Sequence, residues 1–508
     1  MLFFLEAKFN PILRTFLFSK LCSPRPLRRN LQGNQTFLTK RLMLNMKSVK
    51  HYILPSLLFA AGLVFLLPAC RNTDPNPEPD TNLVSQHPND VTYDWNQLFL
   101  EIERYAAGYR PGPAPRAIAY IGLADYEGCL SGMPGYNSIA SLYAGLTIPQ
   151  VESDKQYHWP SVINGSRAYL MPRFFPNATP QQVTDMASLE SFYDDRAKQE
   201  VGSEVWTRSK EYGKAVATAV WEYSKSDAIG HNHFLDPFQG YKWEEHYTKD
   251  GDWKPTFPGP GKPMGGVWGG ARAFAIGESD KICRKPLPYS TSTTSDLYAQ
   301  ALEVYAQNTP TLSYEDEWVG EYWSDDLLNL TFSPGPRWLA VGDQVLKLED
   351  SNLEIAVYYT VKMGFALNDA AVGCWYSKFY YNVERPQTYI NRVIDPNWKP
   401  ALFNPLTGDE GVTPSFPAYP SGHSTMGAAG AEILGDIFGY AYSMTDRCHE
   451  NRTEFEGVPR TFGSFFEMAQ ENAWSRVPLG VHFRMDCEEG VRYGTVIGRK
   501  VNQLPWKD

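Results

Sequence analysis

Cysteine is scarce in this chain, and what there is does not cluster. Seven cysteines are spread over 508 residues. They form no C-x-x-C pair and no zinc-type spacing, which argues against a dithiol redox site or a structural zinc site. With Cys22 and Cys70 set aside as part of a leader, Cys129, Cys283, Cys374, Cys448 and Cys487 remain. An odd count leaves at least one thiol free; a single disulfide, with Cys448 to Cys487 as the candidate, is compatible with export. Long apolar runs are also missing, apart from Tyr52 to Ala69, which falls a little short of the about 20 residues a spanning helix needs. No stretch alternates cleanly between apolar and polar residues, and nothing repeats at a fixed period, so neither strands nor a solenoid are indicated.

Positive charge is in deficit as well. The whole chain carries −10, while residues 1–70 hold ten Lys/Arg and one acidic residue, a net of +9, so the remainder carries −19. An acidic body of this size argues against nucleic acid as the main partner. Any basic pocket inside it has to be built deliberately. The basic start reads as targeting. Lys47 and Lys50 precede the apolar run, which ends Leu67-Pro68-Ala69-Cys70 and resembles a bacterial lipoprotein signal with Cys70 as the lipidated residue. Export to the cell envelope, with a lipid anchor holding the protein on a membrane, is the expectation; an uncleaved membrane anchor is the alternative. Residues 1–45 precede Met46 and read as an over-extended start rather than structure.

The organisation expected is a targeting segment (1–70), a Pro/Asn/Asp linker (71–90), an N-terminal helical region with covering loops (91–290) and a helical catalytic domain (291–508). Helical spacing marks 94–107, 117–129, 181–194 (with Thr179-Pro180 as cap and first turn), 201–224, 295–307, 314–329, 337–347 and 351–384. Between Asp236 and Ala275, Gly, Pro and Trp dominate and periodicity disappears. Loops this long are functional or act as lids; a rigid cover over the bundle is the plainer reading. The fold class is therefore all-α, a helical bundle with a long Gly/Pro/Trp-rich loop region.

Chemistry concentrates in three stretches: Lys378 to Pro386, Phe416 to Thr425, and Ser475 to Asp486. Lys378 and Arg385 are seven apart, nearly two helical turns, and are expected on one face of a helix that Pro386 ends or bends. Pro414, Pro417 and Pro420 keep the chain extended up to Ser421. Gly422 permits close backbone approach, and the alanine-rich run 424–440 reads as a helix. Ser421 is then its N-cap, with amides and the positive dipole end available to an anion. His482 and Asp486 are four apart, a spacing that puts both on one helical face, where the carboxylate fixes a ring tautomer. Arg476 adds a third strong cation. Together these groups suit a tetrahedral oxyanion such as phosphate or vanadate.

The three stretches match, in order, K-x6-RP, PSGH and SR-x5-H-x3-D, the signature of the type 2 phosphatidic acid phosphatase and vanadium haloperoxidase superfamily. Finer features resemble the haloperoxidase branch: Phe416 five residues before Ser421, Trp375 three before Lys378, and the segment from Glu321 to Asp326 followed by Ser333-Pro334-Gly335-Pro336-Arg337-Trp338. The resemblance covers about residues 317–498. It implies vanadate as cofactor, bound through His482 and held by Lys378, Arg385, Arg476, Ser421 and Gly422, with His423 as acid/base and Lys378 activating peroxide. Trp375, Phe416, Asp326 and Asp486 would support these groups, Asp326 by pairing with an anion-binding arginine. Hydrogen peroxide and halide would be the substrates, and hypohalous acid the product. A phosphohydrolase acting on a phosphoester, with His482 as nucleophile, His423 as acid and Asp486 orienting the ring, is the second reading. A surface lipoprotein that binds an oxyanion without turnover is the third; it leaves His423 without a task.

Overall fold

The computed structural model describes residues 82–508 apart from Phe257. Residues 1–70, the expected targeting segment with Cys70, lie outside the described residues. In chain order the helices are α1 (Asp90–Tyr105), α2 (Pro113–Cys129), α3 (Trp159–Phe174), α4 (Pro180–Lys225), the one-turn α5 (Trp243–His246), α6 (Asp296–Gln307), α7 (Tyr314–Tyr322), α8 (Pro334–Leu348), α9 (Leu353–Tyr381), α10 (Pro386–Val393), α11 (Gly422–Phe438), α12 (Phe465–Trp474) and α13 (Arg484–Asn502). Strands among the described residues are limited to two short antiparallel pairs, β1 (Phe403–Asn404) with β2 (Asp409–Glu410) and β3 (Met444–Asp446) with β4 (Arg460–Phe462). The fold is the all-α bundle that the missing alternation implied. No described helix is long and apolar enough to cross a membrane.

α9 is the axis of the molecule. It is buried without interruption from Ala356 to Trp375, so its sequence is apolar on all sides rather than amphipathic. α2 lies against it through reciprocal glycines. A Cβ at Gly122 would sit 2.8 Å from the Val361 Cα, and one at Gly364 would sit 2.6 Å from the Ala119 Cα. α11 and α13 pack on another side of the same helix. Their close approach comes from α13: a Cβ at Gly494 would lie 2.0 Å from the Thr425 carbonyl oxygen. Within the run 427–431, Gly427 and Gly430 serve a different neighbour, since a Cβ at either would meet the Trp338 ring of α8.

Several boundaries differ from the sequence reading for clear reasons. The two helices expected at 181–194 and 201–224 are one long helix, α4, bent at Gly202 (φ 76°, ψ 165°). Its start is as expected: Thr179 Oγ1 accepts from Gln182 N and Gln182 Oε1 accepts from Thr179 N, a capping box. The helix expected over 314–329 stops at Tyr322, because Asp325 and Asn329 take positive φ and carry an irregular loop. Val84, inside the expected linker, is fully buried, and His87 accepts from Leu353 N. All five cysteines outside the leader are free thiols, so Cys448 and Cys487 are not paired; the Cys448 sulfur instead lies 3.0 Å from Gln344 Nε2.

The Gly/Pro/Trp-rich loop is a cover with a function in positioning. Trp253 and Trp268 are buried, so its large aromatics pack inward. Asp252 pairs with Val383 in an antiparallel bridge, flanked by Trp253 N to Asn382 O (2.8 Å) and Glu384 N to Gly251 O (2.9 Å). On its other side, Val383 O accepts from Ala418 N (2.9 Å). The loop thereby clamps the 382–384 segment against the central motif.

Candidate active site

The end of α9 and three interhelical connections deliver the site. The C-terminal end of α9 carries Trp375 and Lys378, and the corner after it carries Arg385. The proline-rich stretch brings Phe416 and ends at Ser421, whose side chain caps α11 by accepting from Ser424 N (3.3 Å). The turn after α12 carries Arg476, and His482 stands just before α13. Lys378, Arg385, Ser421, Arg476 and Asp486 are fully buried; His423 and His482 nearly so.

Two expected local geometries are corrected. Lys378 and Arg385 do not share a helix face. α9 ends at Tyr381 with Asn382 left-handed (φ 50°), and Pro386 opens α10 with Arg385 as its N-cap. The residues before a proline favour extended backbone, and Asn tolerates the left-handed C-cap position, so the chain turns there. His482 and Asp486 do not share a helix face either. α13 starts at Arg484, Phe483 is its N-cap, and Asp486 lies in the first turn. The expected contact still forms: Asp486 Oδ2 accepts from His482 Nδ1 (2.9 Å) and from Phe483 N (3.0 Å). Oδ2 already serves a backbone N–H, which makes it an acceptor and places the imidazole proton on Nδ1.

His482 Nε2 is then the basic nitrogen, 3.1 Å from Arg385 Nη1. Burial, then the Arg385, Lys378 and Arg476 charges, hold the imidazole well below its usual range, so it is neutral at neutral pH. Arg385 also donates through Nε to Phe416 O (2.8 Å) and through Nη1 to Val481 O (2.7 Å), while its buried Nη2 has no partner. Arg476 pairs with Asp326 through Nη2 and reaches Trp323 O through Nη1 (3.4 Å), and its buried Nε is unpartnered. Lys378 donates to Pro417 O and Ala418 O, both at 2.8 Å. Burial pushes its ammonium down and pushes the Asp486 carboxyl up. Phe416 covers both cations, 5.2 Å from Lys378 Nζ and 5.0 Å from Arg385 Cζ, and packs edgewise on Trp375 at 4.9 Å.

His423 sits across the cavity mouth of this cluster. Its Nε2 lies 3.3 Å from Ser324 O and 3.9 Å from Asp326 Oδ1. Burial, reinforced by Arg476 and opposed by Asp326, lowers its pKa to about 4. A cavity of about 390 Å³ opens onto Gly422, His423, Arg476, His482, Trp375 and Phe416. Lys378, Arg385 and Ser421 stand behind that wall rather than in it. Pro237, Phe238, Pro258, Pro260 and Met264 of the covering loop line the same cavity.

Sequence reasoning passed over four contributors. Arg110 lines the cavity and donates to Asp325 O (3.2 Å). Asp325 lines it too, one residue from the Asp326 that was singled out. Arg337 had been quoted without a role, and His449 drew no notice.

The comparisons with known proteins agree with this geometry. Residues 358–505 match the family model for the VCPO second helical-bundle domain. The vanadium chloroperoxidase of Curvularia inaequalis is 27% identical over 219 residues, covering 33% of this chain and 36% of that protein. The vanadium-dependent bromoperoxidase of Ascophyllum nodosum is 31% identical over 119 residues, covering 21% of each. The matched region thus spans about a third or less of these curated relatives. The crystal structure described as the first bacterial vanadium-dependent iodoperoxidase aligns with a TM-score of 0.71 at 25% identity, over 82% of this chain and 96% of that one. A holo-type bacterial vanadium-dependent chloroperoxidase aligns at 0.58 and 14% identity, over 78% of this chain and 94% of that one, which speaks for the fold alone. Motif order and the buried cationic cluster agree with these matches: residues 358–505 fit the VCPO second helical-bundle domain, and the fold as a whole is similar to that of the vanadium-dependent iodoperoxidase structure.

Proposed function

We propose that the protein is a vanadate-dependent haloperoxidase that converts halide, hydrogen peroxide and a proton to hypohalous acid and water. The observation that carries this is the pairing of a neutral His482, its Nδ1 proton fixed by Asp486, with buried arginine donors that have no protein partner. Orphaned buried N–H groups are costly, and Arg385 Nη2 and Arg476 Nε fit the oxygens of an oxyanion. Vanadate satisfies the same donor set and accepts a nitrogen ligand at His482 Nε2; when bound it supplies the Lewis acidity that makes peroxide electrophilic toward halide.

The remaining tasks belong to the chain. Arg385, Arg476 and the α11 N-terminus offset the negative charge of the anion through charge-assisted hydrogen bonds. Lys378 has three N–H groups, two of them spent on carbonyls, so one remains to polarise an oxygen under Phe416. His423 is neutral, and with Nε2 turned to Ser324 O, Nδ1 is the nitrogen that takes up a peroxide proton; Ser324 O and Asp326 stabilise the resulting imidazolium. Phe416, Trp375 and the loop prolines keep this region poor in water.

The His482–Asp486 pair would equally orient a nucleophilic histidine, so phosphoester cleavage is the second reading. The decisive assay takes metal-free protein, adds orthovanadate stepwise, and measures peroxide-dependent oxidation of iodide, bromide and chloride beside phosphomonoester hydrolysis. The proposal expects halide oxidation to rise with vanadate and saturate. Hydrolysis by the metal-free protein that vanadate inhibits, without halide oxidation, would replace it by the phosphatase reading. Export with a lipid on Cys70 is part of the proposal: fatty-acid labelling should be lost in Cys70→Ser, and label retained there would show a different anchor.

A further inference from the structure

We infer that Arg337 is a positioning residue for the proton-transfer side of the site, acting through Asp325 and the 322–326 loop; this rests on the haloperoxidase reading. That loop holds both groups opposite His482. Ser324 O and Asp326 Oδ1 face His423 Nε2, and Trp323 O and Asp326 Oδ2 receive Arg476. Yet the loop has no regular structure of its own, and Asp325 at its centre takes φ 26°, a backbone region that non-glycine residues rarely adopt. Something outside the loop has to keep it there.

Arg337 does so from beneath. It is fully buried on α8. Its guanidinium lies 4.7 Å from the Tyr322 ring and 4.5 Å from the Trp323 ring. Nη1 donates to Tyr322 O (3.4 Å) and lies 3.7 Å from Asp325 Oδ2, while Nη2 is bound by Asp446 Oδ2 (2.6 Å). His449, in contact with Arg337 Nη1, reaches Asp325 Oδ1 at 3.3 Å. One guanidinium therefore fixes the start of the loop, its strained centre and, through Asp446, the β3 end. Lysine, a single point of charge, cannot span those contacts. Asp325 faces Arg337 and His449 on one side, Arg110 through its carbonyl, and the cavity on the other.

The test compares Arg337→Met, Arg337→Lys and Asp325→Asn with wild type in the full chain. Hydrogen exchange of peptides covering 322–326 reads the loop directly, calorimetry with orthovanadate and with phosphate reads the anion cradle, and kcat and KM at saturating vanadate read the reaction. The inference expects exchange of the loop to quicken while α9 and α11 keep their protection. Oxyanion affinity should change by no more than about threefold, because Lys378, Arg385 and His482 are untouched, and kcat should fall by about 10²-fold, the scale of a roughly 1 Å misplacement. Arg337→Lys should recover part of kcat. Unchanged loop exchange in Arg337→Met and Asp325→Asn would overturn the inference, as would oxyanion affinity falling as far as kcat. Should Arg337→Met fail to fold, Asp325→Asn, which keeps the shape and removes only the charge, decides alone. Loop exchange and anion affinity decide it even if no halide is oxidised by wild type, so a failure of the functional reading is seen separately.

Discussion

His482 owes its reactivity to burial and to neighbours of opposite sign. Asp486 fixes the proton on Nδ1, and burial, then the charges of Arg385, Lys378 and Arg476, keep Nε2 unprotonated. Lys378 is placed differently, behind Phe416 and tied to two carbonyls, so its contribution to anchoring an anion is shared while its contribution to polarising an oxygen is not. Lys378→Ala should accordingly retain substantial vanadate binding in calorimetry, with Arg385 and Arg476 remaining. Its halide oxidation should fall by roughly 10²–10³-fold, the usual effect of removing one electrostatic donor. At this scale the sequence was highly legible. The spacing of Lys378, Arg385, Ser421, His423, Arg476 and His482 named the residues that meet in space. It did not show how they meet. The Lys378–Arg385 spacing reads as one helix face because seven residues are nearly two turns, yet Asn382 and the extended pre-proline segment break the helix between them. Arg337 and Asp325 were illegible as partners because 12 residues and an irregular loop separate them, and only the fold closes that distance.

At the scale of elements, the site depends on how closely α11 and α13 approach, since the N-terminus of one and the entry to the other carry Ser421, His423 and His482. Gly490, Gly494 and Gly498 of α13 set that distance. Gly494→Ala would place a methyl carbon 2.0 Å from the Thr425 carbonyl oxygen, and backbone cannot yield as a flexible side chain can. A loss of about 1–3 kcal/mol in urea denaturation is expected from such overpacking, with weaker phosphate binding because the α11 N-terminus shifts. Stability and phosphate affinity both at wild-type level would show that the helix pair is not so constrained. The glycines of α13 carried no signal in the sequence beyond their four-residue spacing, whereas the alanine-rich α11 looked like the element that admits a neighbour. Which of two small faces receives a helix and which receives Trp338 is settled by packing, not composition.

The whole molecule carries a pH dependence written into its buried histidines. His158, His233 and His423 are each held at about 4 by burial, and burial also holds His482 well below its usual range. Unfolded histidines titrate near 6.5, so between about 6.5 and 4 the unfolded chain binds protons the folded one refuses. Stability should be level above pH 6.5 on this account and fall as pH drops through that window, by about 1.4 kcal/mol per pH unit for each proton in deficit. Asp343, raised to about 7, and Asp369, raised to about 6, work in the opposite direction because burial makes their folded forms bind protons more readily. Asp486 and other buried carboxyls such as Glu103 and Asp125 are raised as well, so the histidine part is isolated by difference: in thermal melts from pH 7.5 to 4.5, His158→Gln and His233→Gln should lose less Tm toward acid than wild type, and parallel declines would contradict the burial of these rings. The overall class, an all-α bundle under a proline-rich cover, was readable from missing alternation and from the run at 236–275. The role of that cover in clamping the 382–384 segment was not, because Asp252 and Val383 meet only after the chain has folded.

The central claim is that the buried cluster exists to hold vanadate as a prosthetic group through His482. It is tested most directly by vanadium content. Wild-type protein and His482→Ala, each shown folded by circular dichroism, are loaded with orthovanadate, passed through gel filtration and analysed by elemental mass spectrometry. Near-stoichiometric vanadium retained by wild type and lost from His482→Ala is the predicted result, while equal vanadium in both proteins, or none in wild type, would contradict it.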